Sequence, residues 1–290
     1  MEHLKFFYGT GGAPVFSVSP VAADGADVSQ LLAYILSSTD QAAIWNALCH
    51  FFSELGFAQI LYGYSPDSRG AILGAPEDYL ILSTMPGDAL QEMVQNGYYL
   101  MSSTFHWALN NAGVASWTMT PQDCGFGPDF VVSPEGAEFF QRNGLMTGCT
   151  IGFTSERTRG RGVMALIAPE SVPQADVDAL LARMQDTIFS VAAVGHRCLS
   201  GLPYLPPGRR LTQRQREVLE WVGDGKTTAD IAVIMGITVP TVEKHLRLAR
   251  QTLGVETTAH ALMKAAFLNQ VFVTAPRENG AQDAVSGWDL

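Results

Sequence analysis

Residues 211–267 read LTQRQREVLEWVGDGKTTADIAVIMGITVPTVEKHLRLARQTLGVETTAHALMKAAF, and their spacing predicts four short helices. Thr212 caps the first, Val218, Leu219 and Val222 face inward, and Gly223 or Gly225 stops it. Thr227 or Thr228 caps the second, Ile231, Ala232 and Ile234 form its buried face, and Gly236 ends it. After a tight turn, Val239-Pro240-Thr241 opens the third helix with proline in the first turn. Its Val242, Leu246, Ala249 and Leu253 recur at steps of four, three and four, a continuous apolar stripe. Thr241, Lys244, His245, Arg247, Arg250 and Gln251 occupy the opposite side. A helix about 11 Å across with such a face fits a DNA major groove, where lysine and arginine reach phosphates or guanine edges.

The charge layout points the same way. The chain of 290 residues carries a formal net charge of −10, which by itself disfavours nucleic acid. Residues 209–270, however, hold nine basic side chains against six acidic ones, so the acidity belongs to the rest of the chain. Just before this basic head, GLPYLPPGRR (201–210) opposes regular structure with three prolines and two glycines and reads as a linker.

The length predicts two domains. A 47% hydrophobic and 16% charged composition describes a folded protein with few surface charges and excludes a disordered chain. No apolar run reaches the 18 or more residues of a membrane span, so no membrane partner is expected. The start, MEHLKFFYGTGGAPVFSVSPVAADG, is broken by Gly9, Gly11, Gly12 and Pro14 before a signal core forms, and 1–26 reads as an N-terminal tail. Cys49, Cys124, Cys149 and Cys198 form no CxxC pair, which fits a reduced, cytoplasmic setting.

Between tail and linker, 27–200 reads as a layered body. Two helices over 27–56 precede a strand at 57–64, and helices follow at 86–97 and 102–113. A strand at 114–119 comes next, then a helix at 133–144 opened by Ser133 and Pro134. Strands at 148–155 and 162–168 flank the loop ERTRGR (156–161). A long helix from Pro173 to Leu199 carries Val177, Leu180, Leu181, Met184, Ile188 and Val191 on one stripe, and this helix with its adjacent surface is the expected dimer interface. The fold class is α+β: an N-terminal α/β/α layered domain with a mostly antiparallel sheet, plus a small all-α helix-turn-helix domain at 211–270. Residues 271–290 read as a C-terminal tail in which Val271, Phe272 and Trp288 leave room for a docking peptide.

Catalytic signatures are absent. There is no GxSxG, HExxH, Walker loop or GxGxxG at a strand-to-helix turn, and His50, His106 and His196 stand without a nucleophile or metal-ligand partner. An enzyme, a metal site and a cofactor are therefore not expected. The aromatic stretches 45–64 and 98–117 read as core, with a ligand cavity as the alternative.

Residues 211–267 resemble the LuxR-type (GerE-type) helix-turn-helix. Its pattern LT-x-R-x-x-EVL-x-W, GKT, IA, G-I, TV-x-x-H and LGV is filled by Trp221, Gly225, Lys226, Thr227, Ile231, Ala232, Gly236, Thr241, Val242, His245 and Leu253-Gly254-Val255. Gln215 and Asp230 stand where the family usually has glutamate, and Thr258 where it often has arginine, exchanges that touch local salt bridges or one phosphate contact. The resemblance implies that Lys244, His245 and Arg247 lie on the recognition helix, with Thr238, Thr241 and Lys226 on the DNA backbone; Thr227 and Arg250 complete the expected DNA-binding set. It also implies a fourth helix, Thr258 to Asn269, that pairs two heads across a two-fold axis on roughly palindromic double-stranded DNA. RNA polymerase or a regulatory protein is a further possible partner.

The body resembles the autoinducer-binding domain of quorum-sensing LuxR regulators over residues 30–200, through STMPGDALQEMVQNGYYLMSS (83–103), Trp117 and GLMTGCTIGF (144–153). The family's polar grips on acyl-homoserine lactone are replaced. By spacing from Trp117, Ala89 stands for the tryptophan, Met93 for the tyrosine, Ser102-Ser103 for the aspartate-proline pair and Ala168 for a strand hydroxyl. Losing such bonds costs about 1.5–3 kcal/mol each. The candidate pocket is Tyr62, Tyr64, Ala89, Met93, Tyr98, Ser102, Phe105, Trp117, Thr150 and Ala168. Three readings stay open: a small apolar or acyl-type ligand different from the usual signal; a pocket filled by Met93, Tyr98, Tyr99, Phe105 and Trp107, with control by a protein partner; or the homoserine lactone in a shifted pose on Ser102, Tyr62 or Tyr64.

Overall fold

A computed structural model describes residues 7–8, 25–66, 68, 78–153, 160–203 and 209–273. Most of the loop 156–161, the linker core 204–208 and the tail from 274, with Trp288, lie outside the described residues.

The body is built on six strands: β1 (Phe7–Tyr8), β2 (Gln59–Ser65), β3 (Leu80–Ser83), β4 (Gly113–Ser116), β5 (Gly148–Gly152) and β6 (Arg161–Ile167), in the order β1-β3-β2-β6-β5-β4. Every pairing is antiparallel except the parallel β1–β3 edge. Tyr62 faces Met164 across the central β2–β6 pair. Phe7–Tyr8 thus joins the sheet, which corrects the reading of 1–26 as a tail throughout. β3 also escapes the sequence pattern, because LILS is a four-residue apolar run without alternation.

Helices cover both faces of this sheet, so its strands are apolar on both sides and GVMALI in β6 shows no polar alternation. One face receives α1 (Gly25–Ser37), α2 (Gln41–Glu54) and α6 (Gln174–Gly201). Asp40 caps α2 by accepting from Ala42 N, and Ile44, Trp45, Leu48, Phe51 and Phe52 are buried. Each such side chain stabilises the fold by about 1.5–3 kcal/mol. The stripe expected to pair two subunits lies in this same core, since Val177, Leu181, Ile188 and Val191 of α6 are buried against the sheet and α2. Arg183, Gln185, Asp186 and Ser190 face outward instead.

The other face carries α3 (Gly87–Gln95), a 3-10 turn (Tyr98–Met101), α4 (Ser103–Asn110) and α5 (Pro134–Arg142). The α4 helix ends at Asn110, earlier than the periodicity suggests, because Gly113 already pairs with Gly152 as the first residue of β4. At Gly152 a side chain has no room: a Cβ would run into the carbonyl oxygens of Asn111 and Ala108. Glycine there lets α4 lie directly on β5.

The head consists of α7 (Gln213–Gly223), α8 (Thr228–Met235), α9 (Val239–Leu253) and α10 (Thr258–Phe267) around Val218, Leu219, Ile231, Val242, Leu246, Ala249, Leu253, Ala261 and Ala265. Gly236 ends α8 at φ +63°, the left-handed conformation the turn into α9 requires. Val271 is buried in this core and Phe272 N donates to Glu220 Oε1, so the head runs past residue 270.

Candidate functional site

The reading helix α9 presents its polar side to solvent because the opposite side is spent on the head's core. Thr238, Lys244 and Arg247 are exposed, and Thr241 and His245 half-buried, while Val242, Leu246, Ala249 and Leu253 are buried. Thr238 Oγ1 and Thr241 Oγ1 lie 2.9 Å apart across the first turn, and Arg247 Nη1 donates to Gln251 Oε1 at 3.2 Å. Arg250 is half-buried and its guanidinium donates to Thr258 Oγ1 at 2.9 Å, tying α9 to α10.

Lys226 is exposed beside Thr227, which caps α8. The Thr227 hydroxyl accepts from Asp230 N at 3.2 Å and donates to the Asp230 carboxylate at 2.7 Å, and with the Thr227 N–H these bonds hold the Asp230 carboxyl below its ordinary range. All three exchanged positions are therefore hydrogen-bonded. Gln215 closes the capping box of α7 by accepting from Thr212 N at 2.8 Å, Asp230 closes that of α8, and Thr258 receives Arg250.

In the body, the sheet face under α3, α4 and α5 encloses a cavity of about 350 Å³, within the range of small-molecule sites. Its floor comes from Leu61, Gly63, Ile81, Thr150, Val163, Ala165 and Ile167, and its roof from Met93, Val94, Tyr99, Phe105, Leu109, Trp117 and Phe140. Burial raises the Tyr99 hydroxyl pKa, and a hydrogen bond from Tyr79 works against that rise. Gln174 positions the cavity's β4 edge: its Oε1 accepts from Gly148 N at 2.9 Å, and its Nε2 donates to Gly148 O, Ser116 Oγ and Asp178 Oδ1. That clamp holds the strand end presenting Trp117, whose Nε1 donates to Thr150 Oγ1 at 2.8 Å.

Comparison with known proteins assigns both halves. Residues 209–265 match the family "Bacterial regulatory proteins, luxR family", and residues 40–199, over half of the chain, match "Autoinducer binding domain". The chain belongs to the LuxR family. It is 28% identical over 226 residues to the transcriptional activator protein BjaR1 of Bradyrhizobium diazoefficiens, covering 76% of this chain and 86% of the relative. To SolR of Ralstonia nicotianae it is 23% identical over 238 residues, 79% of this chain and 92% of that one. Among solved structures, Escherichia coli SdiA aligns with a TM-score of 0.48 at 14% identity, covering 84% of this chain and 97% of that one. This LuxR-type quorum-sensing regulator is a DNA-binding transcriptional regulator with an autoinducer-binding domain, and not an enzyme.

Six of the ten candidate pocket residues of the regulator line the cavity: Tyr64, Met93, Ser102, Phe105, Trp117 and Thr150. Four do not, each for a local reason. Tyr62 lies on the β2 face toward α6, where its hydroxyl is 2.9 Å from His196 Nδ1; Tyr64 shares that phase and packs its ring on His196 with centroids 5.7 Å apart, so it borders the cavity only from the end of the strand. Ala89 is buried one turn ahead of Met93, and its single methyl stops short of the cavity. Tyr98 packs on Phe139 with ring centroids 4.7 Å apart, because the tight 3-10 turn sends Tyr99 to the cavity instead. Ala168 lies past the end of β6 in the core on the opposite face, and Val163, Ala165 and Ile167 take the cavity side. Met93, Tyr99 and Phe105 frame the space without filling it, while Tyr98 and Trp107 turn away.

Sequence reading missed Tyr79, Thr104 and Ile81, which stand on or beside the unrecognised β3 and at the α4 start. Among the described residues no cluster of three or more His, Cys, Asp or Glu side chains could hold a metal, and no helix is long and apolar enough to cross a membrane.

Proposed function

We propose that the regulator acts in the cytoplasm as a homodimer on a roughly palindromic double-stranded DNA site, gated by a small, largely apolar molecule other than the standard acyl-homoserine lactones. The observation that carries the sensor reading is the cavity of about 350 Å³ roofed by Met93, Tyr99 and Phe105, which favours a ligand over a pocket closed by its own side chains. Met93 and Ser102 line it where the family has tyrosine and aspartate, so a lactone amide meets a neutral hydroxyl in place of a carboxylate.

For DNA, the proposed base-reading side chains are Lys244, His245 and Arg247, with Lys226, Thr227, Thr238 and Thr241 on the backbone and Arg250 holding α10 in place. Pairing through α10 is supported by its solvent-facing side, where Ala259, His260 and Met263 are exposed, the methionine at 54%. RNA polymerase or a regulatory protein is the further partner such a regulator would meet on its promoter.

Selection of full-length protein against a pool of random duplexes tests this reading. The expected product is a two-fold symmetric motif with half-sites about one helical turn apart. Enrichment of a single asymmetric half-site, or of none, would contradict it.

A further inference from the structure

Trp117 stands on the cavity wall just past the end of β4, an edge strand of the sheet. Its backbone makes one bond to the neighbouring strand, from Trp117 N to Gly148 O at 3.2 Å. From Ser116 the chain then runs to Pro134 without a helix or strand. Regular structure therefore does little to set the direction of the indole, although its Nε1 reaches Thr150 Oγ1 on β5 at 2.8 Å.

What holds this stretch comes from α6. Met119 N donates to Ser116 O at 3.0 Å, closing a β-turn with Trp117 and Thr118 at its centre. Asp178 grips that turn on both sides of the tryptophan: Ser116 Oγ donates to its Oδ1, and Thr118 Oγ1 donates to its Oδ2 at 3.3 Å. The two hydroxyl oxygens lie 2.6 Å apart, so one hydrogen can bridge them while the other still needs the carboxylate. Gln174 Nε2 donates to Asp178 Oδ1 at 3.0 Å and to Ser116 Oγ at 3.2 Å, and on this turn it goes no further than Ser116. The Asp178 carboxylate reaches past the tryptophan to Thr118.

Burial alone would raise the Asp178 pKa, but the bonds from Ser116, Gln174 and Thr118 outweigh it and hold the carboxyl below its ordinary range. Hydrogen bonds to a charged acceptor are roughly twice as strong as neutral ones, so the carboxylate holds the turn more firmly than the hydroxyls would hold each other. Asp178 is itself absent from the cavity wall, whereas the turn it grips supplies Trp117 and Met119 to that wall.

We propose that Asp178 is a positioning residue of the sensor site: from outside the cavity, its carboxylate sets the direction of the Trp117 indole through the Ser116–Met119 turn. This role rests on the sensor reading above and adds to it a residue that does not face the ligand.

NMR spectra of full-length protein labelled at the indole nitrogens follow Trp117 directly, with its signal assigned by W117F. D178N keeps the side-chain shape but offers Thr118 an amide donor in place of an oxygen, and T118V removes the exposed hydroxyl that Asp178 grips. Both should shift the Trp117 signal and speed its N–H exchange about tenfold, the loss expected for one hydrogen bond. The signals of Trp45 in the α6-side core and Trp221 in the head should stay in place, whereas general loosening of the body would move Trp45 as well. Fluorescence of N-phenyl-1-naphthylamine, an uncharged apolar probe, reads cavity affinity in the same proteins. D178N should bind the probe several-fold more weakly than the parent, and A165W, which blocks the cavity, should not bind it. An unmoved Trp117 signal in both variants, or a moved signal with unchanged probe affinity in D178N, would overturn the positioning role and leave the sensor reading standing. Probe binding that A165W does not weaken would overturn the sensor reading instead.

Discussion

Asp78 of the body lies 2.9 Å from Lys264 Nζ on α10 of the head, and the same carboxylate also receives Arg209. All three side chains are largely shielded from water. Asn269 reinforces the junction by donating to the Ser200 and Leu202 carbonyls at the end of α6, at 2.8 and 3.0 Å. The next residue after Asp78 is Tyr79, a cavity-wall side chain, so the body's ionic contact with the head lies one residue from the cavity wall.

Replacing Asp78 by asparagine should loosen this junction. Two cations then lose a partly buried partner, at a cost of about 1–2 kcal/mol after allowing for residual solvent screening. Calorimetry should show the head and body melting as two separated transitions, and residues 201–210 should be cut faster by protease. Identical melting and cleavage in D78N and parent would show that the ion triad does not join the two domains.

On the reading helix, K244A and R247A should weaken operator binding by about 1–3 kcal/mol where the side chain reads a base, and leave the melting temperature unchanged. Fluorescence anisotropy across salt concentrations separates the roles, since loss of a phosphate contact lowers the salt slope by about one. R250A should behave differently and lower head stability, because Arg250 bonds Thr258 on α10. Retained affinity in both K244A and R247A would remove α9 from the interface.

His196 gives the body a pH dependence. Burial first, and the neighbouring Arg197 charge second, push its pKa down to about 4, and its ring stacks on Phe153 with centroids 4.4 Å apart. The unfolded chain takes up the proton near its ordinary value of about 6.5, before the folded chain does. Stability from keeping His196 neutral is thus full above about pH 6.5 and is lost as pH falls toward 4, on the order of 3 kcal/mol in all. Denaturation midpoints between pH 7 and 4 should fall accordingly in the parent and less in H196N. An NMR titration placing His196 near 6.5 in the folded protein would contradict this.

At Gly152, alanine should destabilise the body by more than about 2 kcal/mol, because the new methyl meets backbone of α4 that cannot step aside. The same shift would separate Thr104 from Thr150 and lower ligand affinity. Unchanged stability in G152A would mean that α4 does not lie against β5 as described.

Most of the head is legible in its sequence because its signals are local. Thr212, Thr227 and Gly236 cap or end the helices they precede or follow, and Val242, Leu246, Ala249 and Leu253 mark one face at helical spacing. The body is less legible because its decisive features are pairings between distant segments. Tyr62 and Leu61 differ by one residue, yet one points to α6 and the other to the cavity, and the phase is set by the register with β6. LILS in β3 acquires its identity from β2, and a string of hydroxyls through Thr104 joins Ser102 to Thr150, which neither segment announces alone. Spacing from Trp117 therefore found Met93 and Ser102 on the wall but misplaced Ala89 and Ala168.

Native mass spectrometry of gently purified full-length protein reads subunit count and retained small molecules in one spectrum. The expected species is a dimer carrying one small, largely apolar molecule per chain, lost when the cavity is blocked by A165W. A dimer free of any adduct that binds its operator as tightly as protein given cell extract would contradict the sensor role, and a monomer bound to DNA would contradict the two-fold reading.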